Sequence, residues 1–395
     1  MKNSRKKKII FITQALWIGG IETALINLLN HLDYSKYDIS CLITENYQDM
    51  AVRLTDRCRL LIADRRETIS FSKSYGFRVF YDLIEKPMTD SKLRIQLWEA
   101  FQFLLRPLEM RLYGLYLKNC LKEEQFDTVV IYSDRVAELA VRSIHANKFL
   151  MFYHNADIGN AYHDSYGYRK SDKIIVVSEK QCEKLKAKRP KYASKMMVIN
   201  NYIDVDTVIE KASIPIEDPA FQEGGLCLVS CGRLADQKGF DIAIKACARL
   251  VQNGYPGLHW YVLGVGPEKK KLLKLINNYQ LQDHFHLIGS RSNPYPYMKE
   301  ASLYIQPSRS EGYSLSILEA RVLNCPIVAT YEAAEEQLTN GVTGTLCDAT
   351  VSSIYHAILK HLQNPEISER YKTNLSKYSF KKANEEIVHK IESLL

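Results

Sequence analysis

The chain has 395 residues, 46% of them apolar and 25% charged, with a net charge of +8. That length exceeds one ordinary core, so two domains are expected. The composition is that of a soluble globular protein, and no apolar run of about 18 residues, enough to span a membrane, occurs.

The charge is uneven. Residues 1–200 hold 33 Lys and Arg against 23 Asp and Glu, and residues 201–395 hold 20 against 22. A basic first half suggests an anionic partner surface, membrane or nucleic acid. No aromatic-interleaved recognition motif accompanies the basic excess, so nucleic acid is not expected. Nine cysteines contain no C-x-x-C pair and sit mostly in apolar stretches. They are expected to be buried free thiols in a reducing cytoplasm rather than a disulfide framework or zinc site.

The N-terminus, MKNSRKKKIIFITQALW, is basic and then apolar. The apolar part is short, ends in Gly-Gly and lacks a small-residue cleavage site, so a first buried strand is expected rather than a signal peptide. Further strands are expected at 38–44, 127–132, 149–153, 173–178 and 196–199. After a break they resume at 226–231, 259–263, 284–288, 303–306 and 326–329. Helical patterns lie between most of them. Continuous apolar strands alternating with helices predict parallel sheets covered on both faces, an α/β architecture. Residues 204–225 are polar, carry two prolines and close on Gly-Gly, which predicts a linker. Residues 68–123 interrupt the first half with Leu97, Trp98, Phe101, Leu104, Leu105, Leu108, Leu112 and Leu115 at helical steps. Pro107 is expected to kink this element. An ordinary helix packed on the sheet is the favoured reading. The alternative is a basic amphipathic element lying on anionic lipid.

Glycine-relieved turns between strand and helix suit anions, because free amides and the helix dipole point at the ligand. One such turn holds Gly19 and Gly20. A second holds Gly232, Arg233 and Lys238-Gly239, where two cations suit a diphosphate. A third is SRSEGYSLSILEAR, residues 308–321. As a helix from about Ser314, it places Glu319 on the same face as Leu315, Leu318, Val322 and Leu323. A bare carboxylate there is costly to bury. Gly312 permits close approach of the backbone, and the amides of Gly312, Tyr313, Ser314 and Leu315 are expected as first-turn donors. A buried carboxylate at Glu319 can accept from the two hydroxyls of a ribose, and Glu311 at the mouth can meet a sugar. The plainer readings are a dipole partner at Glu311 and a buried glutamate answered by Arg or Lys at Glu319.

EGYSLSILE resembles the E-x7-E motif of the family 4 glycosyltransferases, the group 1 enzymes that use nucleotide sugars with retention of configuration. SCGRLADQKGFD resembles the family's G-R-x-x-x-x-K-G turn, and GGIETAL its N-terminal G-G-x-E loop. VVSEKQCEKL, VINNYID, VLGVGPEKKKL and the stretch from LIGSRSNPYPY to SILEA follow its pattern in order. The turn before Ile203-Asp204 departs from it, reading Asn200-Asn201-Tyr202 where the family has Pro-Asn-Gly. The resemblance implies a GT-B fold, two Rossmann-like doubly wound domains facing each other across a cleft. The expected division is an acceptor-side domain 1–205, joined by a C-terminal helix at about 379–395, and a nucleotide-sugar-binding domain 206–378. It implies metal-independent hexosyl transfer from a nucleoside-diphosphate sugar, with no cofactor; a UDP-sugar is the expected donor.

By the same resemblance, Arg233, Lys238 and the amides of Gly312–Leu315 meet the diphosphate. Glu319 takes the ribose, Glu311 the donor sugar, and Gly232 lies beneath the donor. Gly19 and Gly20 approach the sugar phosphate from the first domain. His154 matches the family's active-site histidine, and Ser290-Arg291 lie near the base. The expected acceptor is a glycan or lipid-linked glycan in cell-surface polysaccharide or wall-polymer assembly. The expected place is the cytoplasm, peripheral on the inner membrane face through the basic first domain. The rival readings are a GT-B nucleotide-sugar 2-epimerase and a weakly catalytic partner subunit of a transferase complex.

Overall fold

The computed structural model describes residues 5–64, 111–122, 124–154, 165–218, 221 and 225–395. Among these, thirteen parallel strands form two sheets. The first contains β1 Lys7–Thr13, β2 Tyr37–Ile43, β3 Arg59–Ile62, β4 Gln125–Ile131, β5 His145–Tyr153, β6 Lys173–Val176 and β7 Met196–Val198. Its order is β3-β2-β1-β4-β5-β6-β7. The second contains β8 Leu226–Cys231, β9 Leu258–Leu263, β10 Phe285–Gly289, β11 Leu303–Gln306, β12 Ile327–Thr330 and β13 Thr345–Cys347, in the order β10-β9-β8-β11-β12-β13. Both orders reverse beside the first strand of the sheet, which opens a crevice at the strands' carboxyl ends.

Alternation along the central strands separates two cores per sheet. Ile9 and Phe11 of β1 enter one core, and Ile10 and Ile12 enter the core on the other face. In β8, Leu228 and Val229 divide in the same way. Helices cover both faces. Among them are α1 Gly20–His31, α2 Glu179–Lys188, α3 Val205–Ala212, α4 Phe240–Gln252, α5 Tyr295–Glu300, α6 Leu315–Val322 and α7 Phe380–Leu394.

Three expectations need adjusting. The edge strands β3 and β13 are additional to those read from the sequence; at four and three residues they are too short to show a period. The expected linker contains α3, capped by the Asp204 side chain on the Thr207 amide, with Val208 and Ala212 in a second-sheet core. Of the long helical pattern at 68–123, residues 68–110 and 123 lie outside the described residues. In the helical segment 111–120, Tyr113, Tyr116 and Leu117 face the first core while Leu115 is exposed. The buried face there is one step off the leucine stripe.

The C-terminal helix α7 crosses between the domains. Phe380 packs against a second-sheet core, while Ile391 and Leu395 enter a first-sheet core. Asn384 holds both the amide and the carbonyl of Ile203 in the connecting segment. The nine cysteines are free thiols, all buried but Cys120. Among the described residues no helix is long and apolar enough to cross a membrane.

Candidate active site

The turn after β8 and the turn after β11 are knitted together. Gly239 closes the short turn Asp236–Lys238 with φ of 67°, in the left-handed region. A β-carbon on it would lie 2.0 Å from the Pro307 carbonyl oxygen. Glycine is therefore required twice, for conformation and for the approach of the neighbouring turn. Around it the Arg309 amide donates to Gln237 O and the Gln237 side chain to Ser310 O, both at 2.7 Å. Arg309 also grips Asp241 through two bonds of 2.8 Å. Gly239→Ala is expected to cost about 2–3 kcal/mol from backbone strain and overlap, read as a lower urea midpoint at unchanged slope.

This knitting brings Lys238 to Glu311. The ammonium donates to Glu311 Oε1 at 2.6 Å. The same oxygen accepts from Ser308 Oγ at 2.7 Å and Gln306 Nε2 at 3.1 Å. Gln306 is buried at the end of β11 and is itself held by Tyr304 and Ser316. One carboxylate oxygen is thus saturated, while Oε2 accepts from none of the described residues. Lys238 keeps two further protons for another acceptor. Arg233 is exposed and pairs with no described residue.

Glu319 lies one turn into α6, 8% exposed. Its Oε1 accepts from the Tyr295 hydroxyl of α5 at 3.2 Å. Burial pushes its pKa up to about 7, against the pull of that hydrogen bond and of Arg53, a first-domain cation across the interface. The plainer reading is met only at longer range: Arg53 acts on Glu319 through its charge, and no ion pair to Glu319 forms among the described residues. The expected set of free amides needs one correction. The Ser314 amide donates to Gln337 Oε1, and Gln337 Nε2 returns a bond to Ser314 O. The amides of Gly312, Tyr313 and Leu315 donate to no described acceptor.

The first domain supplies the facing wall. At Gly20 a β-carbon would come within 4.0 Å of Leu315 Cβ, so the β1–α1 turn meets the start of α6. At Gly19 a β-carbon would meet the Glu22 carboxylate, whose pKa is raised by burial. Gly312 lies against His154, with room for no β-carbon before His154 O. The His154 ring packs on Tyr132 and Phe152, and its buried Nε2 has no partner among the described residues. Burial pushes its pKa down to about 3, so the ring is neutral at physiological pH.

Several bonds pin the second-domain turn from the first domain. Gln181 donates to Glu311 O at 3.0 Å and Asn201 to Tyr313 O at 3.3 Å. The Glu336 carboxylate accepts from the amides of Glu179 and Lys180, at the N-terminus of α2, while Lys180 pairs with Glu335. The gap between Ser178–Gln181 and Glu311–Tyr313 is only about 20 Å³. That is room for about one water. Removing a charge-to-amide contact of this kind costs about 1–2 kcal/mol. Glu336→Ala is therefore expected to shift the molecule toward an open form, seen as a larger radius of gyration in solution scattering; an unchanged radius would show the contact to be incidental.

The structure gathers Gly19, Gly20, His154, Lys238, Glu311, Gly312–Leu315 and Glu319 at one interdomain surface, with Gly232 and Arg233 on the adjoining turn. Ser290 and Arg291 directly follow β10 of the second sheet. The Arg291 guanidinium binds Asp218, which also accepts from Tyr297 at 3.0 Å, leaving Ser290 exposed beside it. Sequence reasoning missed Gln306, Ser308, Tyr295, Arg53 and Gln337. Only Gln306 carried a local signal, as an amide ending an apolar strand.

Comparison with known proteins is consistent with this geometry. Residues 215–378 match the family model described as glycosyl transferases group 1. A 168-residue stretch is 28% identical to an uncharacterized glycosyltransferase of Methanocaldococcus jannaschii, covering 42% of this chain and 41% of that one. A 279-residue stretch is 27% identical to the N-acetylgalactosamine-N,N'-diacetylbacillosaminyl-diphospho-undecaprenol 4-alpha-N-acetylgalactosaminyltransferase of Campylobacter jejuni, covering 69% of each. The chain thus spans about two fifths of the first relative's length and just over two thirds of the second's. Among solved structures, a TarM mutant of S. aureus, crystallised with UDP, fondaparinux and alpha-GlcNAc-glycerol, superposes with a TM-score of 0.71. It is 14% identical, over 98% of this chain and 99% of that one. Anabaena HepE in complex with UDP gives 0.68 at 15% identity, over 98% and 100%. The chain therefore has the GT-B fold, and its second domain matches the group 1 glycosyl transferases.

Proposed function

We propose that the protein is a retaining hexosyltransferase of family 4 type. It would move a sugar from a nucleoside-diphosphate sugar, with a UDP-sugar the expected donor, to a glycan or lipid-linked glycan in cell-surface polysaccharide or wall-polymer assembly. The observation that carries this is the pairing of Lys238 with Glu311, eight residues before buried Glu319, on a turn that faces the first domain. Relatives support the substrate classes: the Campylobacter enzyme is named for a diphospho-undecaprenol acceptor, and TarM and HepE were crystallised with UDP.

On this reading the diphosphate lies over the turns of Gly232–Gly239 and Gly312–Leu315. Arg233, the spare protons of Lys238 and the three unclaimed amides meet the charge that grows on the leaving group. Glu319 exchanges Tyr295 and Arg53 for the ribose diol. Glu311 Oε2, held in place through Oε1, takes donor-sugar hydroxyls. His154 is neutral and serves as a hydrogen-bond partner rather than a cation. Because Arg291 is bound to Asp218, the base meets the backbone near Ser290 rather than the guanidinium. The acceptor attacks from the leaving-group side, and the leaving phosphate oxygen takes its proton. No metal is called on, so chelation with EDTA leaves the rate unchanged.

A melting-temperature and hydrolysis screen across nucleotide sugars tests the donor side, since a ligand that binds the native state raises the melting temperature with ln(1 + [L]/Kd). No shift with any nucleotide would sink the proposal. Donor conversion without acceptor to an epimer would replace it with the epimerase reading. The basic first domain is proposed to meet anionic lipid at the inner face, and flotation with anionic but not neutral liposomes tests that.

A further inference from the structure

The first domain carries a second feature on the rim of the same cleft, built from two loops. Residues 14–18 follow β1 and residues 44–50 follow β2. Backbone bonds tie them together: the Glu45 amide to Gln14 O at 2.8 Å, the Leu16 amide to Tyr47 O at 2.9 Å and the Met50 amide to Leu16 O at 3.0 Å. The pair therefore forms a fixed shelf rather than two loose ends. On it the rings of Trp17 and Tyr47 lie 5.7 Å apart, tilted by 41°. Tyr47 is 44% exposed, and neighbouring Ile18 is 60% exposed. Beside the rings runs a chain of planar polar groups. Gln14 donates to Glu45 Oε1 at 2.6 Å, and Arg135 donates to Gln14 Oε1 at 3.3 Å. Gln14 and Glu45 are half-buried, and Arg135 is exposed. These three come from the carboxyl ends of β1, β2 and β4, which are neighbours at the middle of the sheet.

Trp17 is half-buried and Tyr47 exposed, so both rings keep surface outside the core. Aromatic side chains left at a surface forgo much of the burial that makes them valuable inside a protein, while retaining a broad apolar face. A pyranose ring matches this shelf, with one face of C–H groups to lie on an aromatic ring and a rim of hydroxyls to be met by carboxylate, amide and guanidinium. The shelf is also in reach of the chemistry. Trp17 is three residues before Gly20, which abuts Leu315, so its Cα lies within about 10–11 Å of that contact.

We propose that Trp17 and Tyr47 form a subsite for a saccharide ring of the acceptor, with Gln14, Glu45 and Arg135 taking its hydroxyls. This rests on the transferase reading above and adds the seat of the acceptor's sugar ring. The test is a printed array of bacterial glycans, probed with the full chain, with and without UDP. Trp17→Ala, Tyr47→Ala and Glu45→Gln are compared with wild type, and melting temperature and UDP affinity are measured on each. The expected result is wild-type binding to at least one glycan, weakened at least tenfold in the Trp17 and Tyr47 variants and severalfold in Glu45→Gln, at unchanged UDP affinity. Equal glycan binding by wild type and both aromatic variants would overturn the proposal. So would a wild type that binds UDP and no glycan. Failure to bind any nucleotide, with glycan binding still dependent on Trp17, would overturn the donor reading while supporting the subsite.

Discussion

Lys238→Ala is expected to lower turnover by two to three orders of magnitude, about 3–4 kcal/mol of transition-state stabilisation. The size follows from what the ammonium does. It lies against the turn that would face the leaving diphosphate, and its bond to Glu311 fixes the carboxylate assigned to the sugar. Its loss removes a charge from the leaving group and loosens Glu311, which retains only Ser308 and Gln306 on that oxygen. Glu311→Ala is expected to fall by a similar factor. Because the two act through one ion pair, the double variant should be little worse than the poorer single one. Fold loss would mimic this result, so circular dichroism and melting temperature accompany each rate. Near-wild-type transfer in either folded variant would remove the pair from the site.

Glu319 should make donor binding and stability depend on pH in opposite senses. Burial raises its pKa in the folded, donor-free protein to about 7, whereas an unfolded glutamate titrates near 4.3. Below about pH 4 both states are protonated and the residue is neutral to stability. Between about pH 4.3 and 7 the unfolded chain releases its proton first, so stability falls as pH rises. The deficit levels off above pH 7 at roughly 3–4 kcal/mol. Glu319→Gln should lack this loss and unfold later than wild type at pH 8 in the absence of ligand.

Binding runs the other way. A ribose diol donates to the ionised carboxylate, so affinity for a nucleotide sugar should rise about tenfold from pH 6 to pH 8. A nucleotide sugar is the right probe because its phosphates do not titrate in that range. The glutamine variant should bind weakly and without this slope. An identical pH profile in wild type and variant would mean that Glu319 does not touch the ribose.

Much of the architecture is readable from the chain because its determinants are local. Runs such as Ile9–Ile12 and Leu226–Cys231 are apolar at every position, as strands covered on both faces must be. The helix at 315–322 is announced by Gly312 before it and by the spacing of Leu315, Leu318 and Val322. What escaped depends on distant partners or on brevity. β3 and β13 are short edge strands whose existence is decided by pairing with β2 and β12. α3 reads as linker because its polar face dominates, and only packing of Val208 and Ala212 makes it a helix of the second domain. Glu319 was legible as misplaced, but not its answer. Tyr295 lies 24 residues away along the chain, and Arg53 belongs to the other domain. Likewise the sequence shows Ser314 as a helix start, while the capture of its amide by Gln337 is a tertiary event.

The same distinction explains the site as a whole. Lys238 and Glu311 could be assigned to one domain from their motifs, yet their contact depends on Gly239 fitting under Pro307. Arg291 was legible as a candidate, but its partner Asp218, 73 residues away along the chain, shows in no local pattern.

The most direct test is calorimetric titration of UDP and the other common nucleoside diphosphates into wild type and Glu319→Ala at pH 8. The account predicts one-to-one binding of at least one nucleotide by wild type, weakened at least tenfold in the variant while its fold is retained. Equal affinity in the two proteins, or no binding of any nucleotide by wild type, would contradict it.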